Sequence, residues 1–190
     1  MFEIGADELT PTPNNHARSL STFSSRRFTM SKATQPIPPG HEGLIPHLVC
    51  SPCSEAIDFY KKAFGAEELV RMPAPDGRRI MHAQIRIGKS FLYLVDDFPE
   101  YCGGKSSSAT ALQGTPVTIH HYVENADAAI KRAQDAGATV LMPASDMFWG
   151  DRYGVITDPY GHKWSLATHV KDLTPEQMKA AMKDAFAQKT

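Results

Sequence analysis

Three cysteines in 190 residues, Cys50, Cys53 and Cys102, are too few for a disulfide framework, which points to a reducing compartment rather than to secretion. Charge of one sign is also missing. Twenty Lys and Arg face 21 Asp and Glu, so no basic excess exists to neutralise a phosphate backbone, and nucleic acid is not expected as a partner. No run approaches the roughly 20 apolar residues of a membrane-crossing helix. These absences together imply a soluble, cytoplasmic protein without a membrane partner. What is present is 42% hydrophobic residues, enough for the core of one ordinary domain or of two small modules.

Residues 1–40 are rich in Ser, Thr, Pro and Asn without a sustained apolar period, and read as a disordered arm. From His16 to Lys32 the arm carries Arg18, Arg26, Arg27 and Lys32 and no acid, the composition of an organelle transit peptide leading to a matrix compartment. Glu3, Asp7 and Glu8 speak against it, and the favoured reading is a start of translation at Met30, ahead of Pro36, Pro38 and Pro39.

Order is expected from Gly43. An apolar strand, Leu44 to Cys50, precedes a helix from Ser54 to Phe64, with Ile57, Tyr60, Ala63 and Phe64 at helical spacing, Ser54 as N-cap and Gly65 as the stop. Strands follow at Glu67 to Met72, Ile80 to Ile87 and Ser90 to Val95, parted by the turns Pro75-Asp76-Gly77 and Gly88-Lys89. After a Gly/Ser-rich linker, about Cys102 to Gly114, the pattern recurs: strand Val117 to Val123, helix Ala126 to Ala136, strands Thr139 to Met142, Arg152 to Thr157 and Lys163 to Thr168. Gly65-Ala66 is answered by Gly137-Ala138, and Gly88 by Gly161. This is an internal duplication of a βαβββ unit, so the fold class is α+β, with two modules (residues 43–100 and 115–170) forming a cupped mixed sheet over a domain at 43–170. A last helix, Thr174 to Gln188, begins with the capping pattern Thr174, Pro175, Gln177; its stripe Met178, Ala181, Met182, Ala185, Phe186 suits packing on the parent domain or a sister subunit. With the exposed sheet edges, that stripe implies a homodimer.

The duplicated unit carries Ala56-Ile57-Asp58-Phe59-Tyr60, Phe64-Gly65-Ala66 and Asp158-Pro159-Tyr160-Gly161-His162. With these motifs the chain, from about Leu44 to His169, resembles the vicinal oxygen chelate superfamily of glyoxalase I, bleomycin-resistance proteins and extradiol dioxygenases. The run Phe148-Trp149-Gly150-Asp151-Arg152-Tyr153-Gly154, followed by Trp164-Ser165-Leu166-Ala167-Thr168-His169, is similar to its PhnB-like branch. The resemblance implies a cupped site that in the enzymes holds a divalent metal on four strands. Aligned on Phe59-Tyr60, the Gly88 turn, Val123-Glu124-Asn125 and Asp158-Pro159, the four ligand positions that the resemblance implies fall on Ile45, Tyr93, Thr118 and Ser165, an aliphatic, a phenol and two hydroxyls, which are poor donors for a divalent ion. No metal or other cofactor is therefore expected. The function implied is a glyoxalase-like protein of small-molecule metabolism or resistance that holds a small organic ligand in the cup. The alternative is a metal-dependent lyase or dioxygenase with a shifted site on His47 and His120.

Strand alternation sends His47, Val49, Phe91, Val95, His120, Tyr122, Lys163 and Ala167 to the same face as those four positions. His82, on the polar side of its strand, joins them with Gln84 and Arg86. For catalysis the candidates are His47 and His82, since an imidazole titrates near neutral pH. For substrate binding they are His47, His82, Tyr93, His120, Tyr122, Trp149, Arg152 and Tyr153: the aromatics supply flat apolar contact, and Arg152 a fork for a carboxylate or phosphonate. The competing reading of Arg152 is an ion pair with Asp151 or Asp158; Asp158 itself suits a type I turn. A rival class comes from Cys50-Ser51-Pro52-Cys53 at a strand-to-helix junction, a pattern that in thiol-redox proteins places a thiolate at a helix N-terminus. A zinc site from that pair, Cys102 and a His is the remaining combination.

Overall fold

From Ala83 to Ile87 and in Ser90–Val95 buried side chains alternate with more exposed ones, with Ala83, Ile85, Ile87, Leu92 and Leu94 on one face, so this sheet must be covered on one side. The cover is a helix, Cys53–Phe64, whose Cys53, Ala56, Ile57, Tyr60, Ala63 and Phe64 recur at intervals of three and four and are buried. The structure, a computed structural model, describes residues 33–187. The transit-peptide and Met30 readings lie outside the described residues, as does Gln188.

The elements are β1 (His47–Val49), α1 (Cys53–Phe64), β2 (Glu67–Pro73), β3 (Ile80–Ile87) and β4 (Ser90–Val95). The second set is β5 (Thr118–Tyr122), α2 (Ala126–Asp135), β6 (Thr139–Asp146), β7 (Asp151–Thr157) and β8 (Lys163–His169), followed by α3 (Pro175–Ala187). Two mixed four-stranded sheets result, ordered β1-β4-β3-β2 and β5-β8-β7-β6, with the first pair of each parallel and the rest antiparallel. The identical order in both halves is the duplication expected from the sequence.

Three local differences have physical causes. Helix α1 starts at Cys53 and has no side-chain cap from Ser54; instead the buried Asp96 accepts the Cys53 N–H at 3.0 Å and the Ile80 N–H at 2.7 Å. Strand β6 runs four residues beyond Met142, through Pro143, because it lies at the sheet edge, where a missing N–H forfeits no ladder bond. The packed chain also begins before Gly43: the His41 N–H donates to the Pro38 carbonyl at 3.1 Å, and its ring stacks on Phe91 at 4.5 Å.

One hydrophobic cluster unites the modules. Arg132 Nε on α2 donates to the Ala63 carbonyl at the end of α1 (2.8 Å), and Phe64 lies 4.6 Å from Trp164 between ring centres. Asp158, 3% exposed, accepts from Tyr60 Oη of one module and Trp164 Nε1 of the other on the same oxygen, at 2.7 and 2.9 Å. It is a structural carboxylate. The α3 cap forms as expected, with Thr174 N–H donating to Gln177 Oε1 at 2.9 Å and Gln177 N–H to Thr174 Oγ1 at 3.3 Å. The stripe of α3 touches the parent domain where the Phe186 ring borders Phe148 at 6.3 Å, yet Met178, Met182 and Phe186 are all exposed in the single chain.

Candidate functional site between the modules

Strands β1 and β5, each at the edge of its sheet, form the walls of a cleft of about 580 Å³. Pro46 to Val49 line one side, Thr118 to His120 the other, and His162 joins them. The roof is the linker, with Ser107, Ala109, Leu112 and Gly114 to Val117. It is held down by Asp97, which accepts the Ser106 hydroxyl and, at 3.2 Å each, the N–H groups of Ser107 and Ser108. Gly161, at φ +87°, lets the linker pass: a side chain there would meet Thr110 N at 3.0 Å. The lining is apolar apart from three imidazoles and a few hydroxyls. His162 Nε2 sits 3.2 Å from the Val49 carbonyl oxygen and 3.6 Å from Cys50 Sγ.

On the open face of the first sheet, His47, His82 and Tyr93 meet edge to face, with ring centres 6.2 Å (His47 to His82), 5.9 Å (His47 to Tyr93) and 4.9 Å (His82 to Tyr93) apart. Burial, and then the neighbouring His82, push the His47 pKa down, so its imidazole is neutral and a proton acceptor at neutral pH.

The second sheet presents a different face. His120 Nδ1 and Ser165 Oγ are hydrogen-bonded at 2.8 Å, and the His120 ring borders Tyr122 (4.6 Å) and Tyr153 (6.1 Å). Trp149 meets Tyr153 edge to face at 5.6 Å. Beneath them Asp151, 5% exposed, accepts from Tyr122 Oη at 2.9 Å, Trp149 Nε1 at 3.1 Å and His169 Nδ1 at 2.9 Å. Burial alone would raise its pKa; the His169, Tyr122 and Trp149 donors outweigh burial and hold it low. The turn that delivers Trp149 and Asp151 depends on Gly150, at φ +99°, whose carbonyl accepts from Val170 and Lys171 N–H and whose missing side chain would lie 2.4 Å from the Lys171 carbonyl oxygen.

The eight candidate binding residues thus separate into two groups and one outlier. His47, His82 and Tyr93 share the first face, while His120, Tyr122, Trp149 and Tyr153 share the second; His47 and His120 alone of the eight line the cleft. Arg152 is not among them. Alternation along β7 turns it to the helix side, where it pairs with Asp127 and, at 3.0 Å, with Asp146 rather than with Asp151 or Asp158. Sequence reasoning missed His162 and the Asp151–His169 pair, although His169 continues the alternation Ser165, Ala167, His169 on β8.

The register brings a different set of four together across the strands. Ile45 precedes β1, and the register pairs His47 with Tyr93, His120 with Ser165, and Thr118 with Lys163. The cross-strand equivalents are therefore His47, Tyr93, His120 and Ser165. Two imidazoles are good donors, but the Tyr93 phenol and the Ser165 hydroxyl are weak ones for a divalent ion, and Ser165 already engages His120. Among the described residues, no three His, Cys, Asp or Glu side chains gather closely enough to hold an ion, so neither the shifted His47–His120 site nor a Cys102 zinc site is assembled. The redox reading also falls. Cys50 and Cys53 are fully buried; burial, then Asp158, drives the Cys50 thiol far up, and burial, then Asp96, pushes Cys53 up to about 12. The helix terminus that would favour a thiolate already carries the Asp96 carboxylate. No described helix is long and apolar enough to cross a membrane.

Comparison with known proteins adds the following. Residues 45–166 match the family described as the glyoxalase/bleomycin resistance protein/dioxygenase superfamily. The uncharacterized protein Rv0887c of Mycobacterium tuberculosis is 52% identical over 139 residues, 73% of this chain and 81% of that one. The crystal structure of the At5g48480 gene product of Arabidopsis thaliana superposes with a TM-score of 0.54 at 26% identity, covering 66% of this chain and 97% of that one. That of TioX from Micromonospora sp. ML1 superposes with a TM-score of 0.51 at 26% identity, covering 67% and 100%.

Proposed function

The chain belongs to the glyoxalase/bleomycin resistance protein/dioxygenase superfamily, and from that premise we propose that it binds a small organic molecule, without a metal, in the cleft between β1 and β5. The observation that carries this reading is the cleft itself: about 580 Å³ of apolar lining with His47, His120 and His162 at its walls, the size and character of a small-ligand pocket. We place the chain in the PhnB-like branch on its Phe148 to Gly154 run, and assign it to small-molecule metabolism or resistance. Where binding leads to chemistry, the available step is proton transfer, with neutral His47 as acceptor and His82 beside it. A homodimer fits the exposed stripe of α3 and the free edges of β2 and β6.

A thermal-shift screen of small metabolites and divalent ions tests the reading. A ligand present at 100 times its Kd stabilises the folded state by about 2.7 kcal/mol. Compounds that raise the Tm of the wild-type protein but not of Val49→Trp, which fills the cleft, support it. Stoichiometric metal in the purified protein, or shifts that survive in Val49→Trp, overturn it.

A further inference from the structure

The second sheet's face has a composition that the cleft lacks. Trp149, Tyr153, His120 and Tyr122 lie ring to ring, with Tyr153 within 17° of parallel to His120, Trp149 at 76° to Tyr153 and Tyr122 at 81° to His120. Their π faces are electron-rich. Immediately behind them is Asp151, a carboxylate 5% exposed on which both the Tyr122 hydroxyl and the Trp149 indole N–H converge at one oxygen. Those bonds fix the orientation of two of the rings. The other oxygen bonds His169, whose second nitrogen reaches Asp172 at 3.0 Å, so two carboxylates surround one imidazole and the cluster stays net negative whatever proton His169 carries. The nearest basic residue in sequence, Arg152, is turned away and neutralised by Asp127 and Asp146, Lys171 beside Asp172 is exposed to solvent, and Lys163 sits at the far end of β8 opposite Thr118.

We propose that this face is a subsite for an organic cation, a quaternary or protonated amine carried by the ligand, held against Trp149, Tyr153 and Tyr122 in the field of Asp151. It rests on the reading that the cleft holds a small molecule, and it adjoins that cleft through His120, which belongs to both. Cation–π attraction selects charge at constant shape, since the ring quadrupole acts on the positive group and not on its bulk. Asp151 adds charge complementarity without a direct salt bridge, because its oxygens are already occupied by ring and imidazole donors. A flexible surface acid would be strongly screened by water; a buried one pinned by three donors is screened much less.

The test uses the full chain and the indole N–H signals of its two tryptophans in a nitrogen-proton correlation spectrum, assigned with Trp149→Phe. Choline is the probe and 3,3-dimethylbutan-1-ol its neutral isostere. Choline is expected to move the Trp149 signal saturably, at least about tenfold more tightly than the isostere, while the Trp164 signal, buried and bonded to Asp158, stays in place. Asp151→Asn should weaken choline about tenfold. Tyr153→Leu, which removes a ring without touching the Asp151 bonds, should do the same and covers the case in which the Asp151 variant fails to fold. Equal response to choline and isostere, no response to either, or undiminished binding in Tyr153→Leu overturns the subsite. If metabolites still stabilise the wild type and not Val49→Trp, the cleft reading stands while the cation subsite falls.

Discussion

The Tyr60 hydroxyl, on the helix of the first module, donates a 2.7 Å hydrogen bond to Asp158, in the turn before the last strand of the second. The same carboxylate oxygen accepts from Trp164 Nε1, and the other takes the Tyr160 and His162 N–H groups at 3.0 and 2.9 Å. A buried charge is tolerable only when so satisfied. Through His162, which lines the cleft, this joint also sets the geometry of the candidate site.

Removing one donor leaves the ion buried and under-satisfied. Tyr60→Phe should therefore lower the unfolding free energy by about 1.5–3 kcal/mol, the range for a hydrogen bond to a charged group, with an unchanged urea m value. A loss under 0.5 kcal/mol would mean that the Tyr60–Asp158 bond does not help to hold the two modules together.

Thiol chemistry provides a second check. Cys102 is exposed, whereas Cys50 and Cys53 are fully buried with raised thiols. A thiol-specific disulfide reagent should label one cysteine promptly in the native protein and all three in denaturant. Rapid native labelling of Cys53 would restore the redox reading.

Alternation and helical spacing are local properties, and they carried the fold: β3 and β4 match their expected spans from Ile80 to Ile87 and from Ser90 to Val95, and the Thr174–Gln177 cap forms as the pattern requires. The duplication read from the sequence appears as the same strand order in both halves. The site was less legible because its pairings are not local. Whether His47 or Ile45 faces Tyr93 depends on strand register, which one Pro46 carbonyl bond to Tyr93 N–H helps settle, and no composition encodes that. Arg152 follows Asp151 at the start of its strand, and strand parity turns it to the helix side, to Asp127 and Asp146. The Asp151–His169 pair spans two strands and appears only when β7 and β8 are in register.

The histidines divide by the sign of their shifts. Asp172, then Asp151, raise the His169 pKa above its ordinary 6.5, so its proton stabilises the fold fully below about pH 6.5 and that contribution is lost as pH climbs through the raised value. His47 and His121 shift the other way, chiefly by burial, and their contribution is intact above 6.5 and erodes as pH falls toward their depressed values. The stability gap between wild type and His169→Gln should accordingly be widest near about pH 6 and narrow near about pH 9, measured by urea unfolding at each pH. A gap that widens with pH would contradict the ion pairs.

Strand β7 crosses under helix α2 at Gly154, and the contact leaves no room for a side chain. A methyl group there would lie 2.4 Å from Ile130 Cδ1, 2.9 Å from the Met142 carbonyl oxygen and 3.0 Å from Ala144 N. The first neighbour is a side-chain tip that can rotate; the other two are backbone of the neighbouring edge strand, which must shift. Gly154→Ala should cost about 1–3 kcal/mol, the usual penalty for overpacking a core. Combining it with Ile130→Val removes the colliding Cδ1, so the double variant should be more stable than the sum of the single losses by at least about 0.5 kcal/mol. Strict additivity would locate the whole strain in the β6 backbone, and a neutral Gly154→Ala would show that α2 does not sit this close to β7.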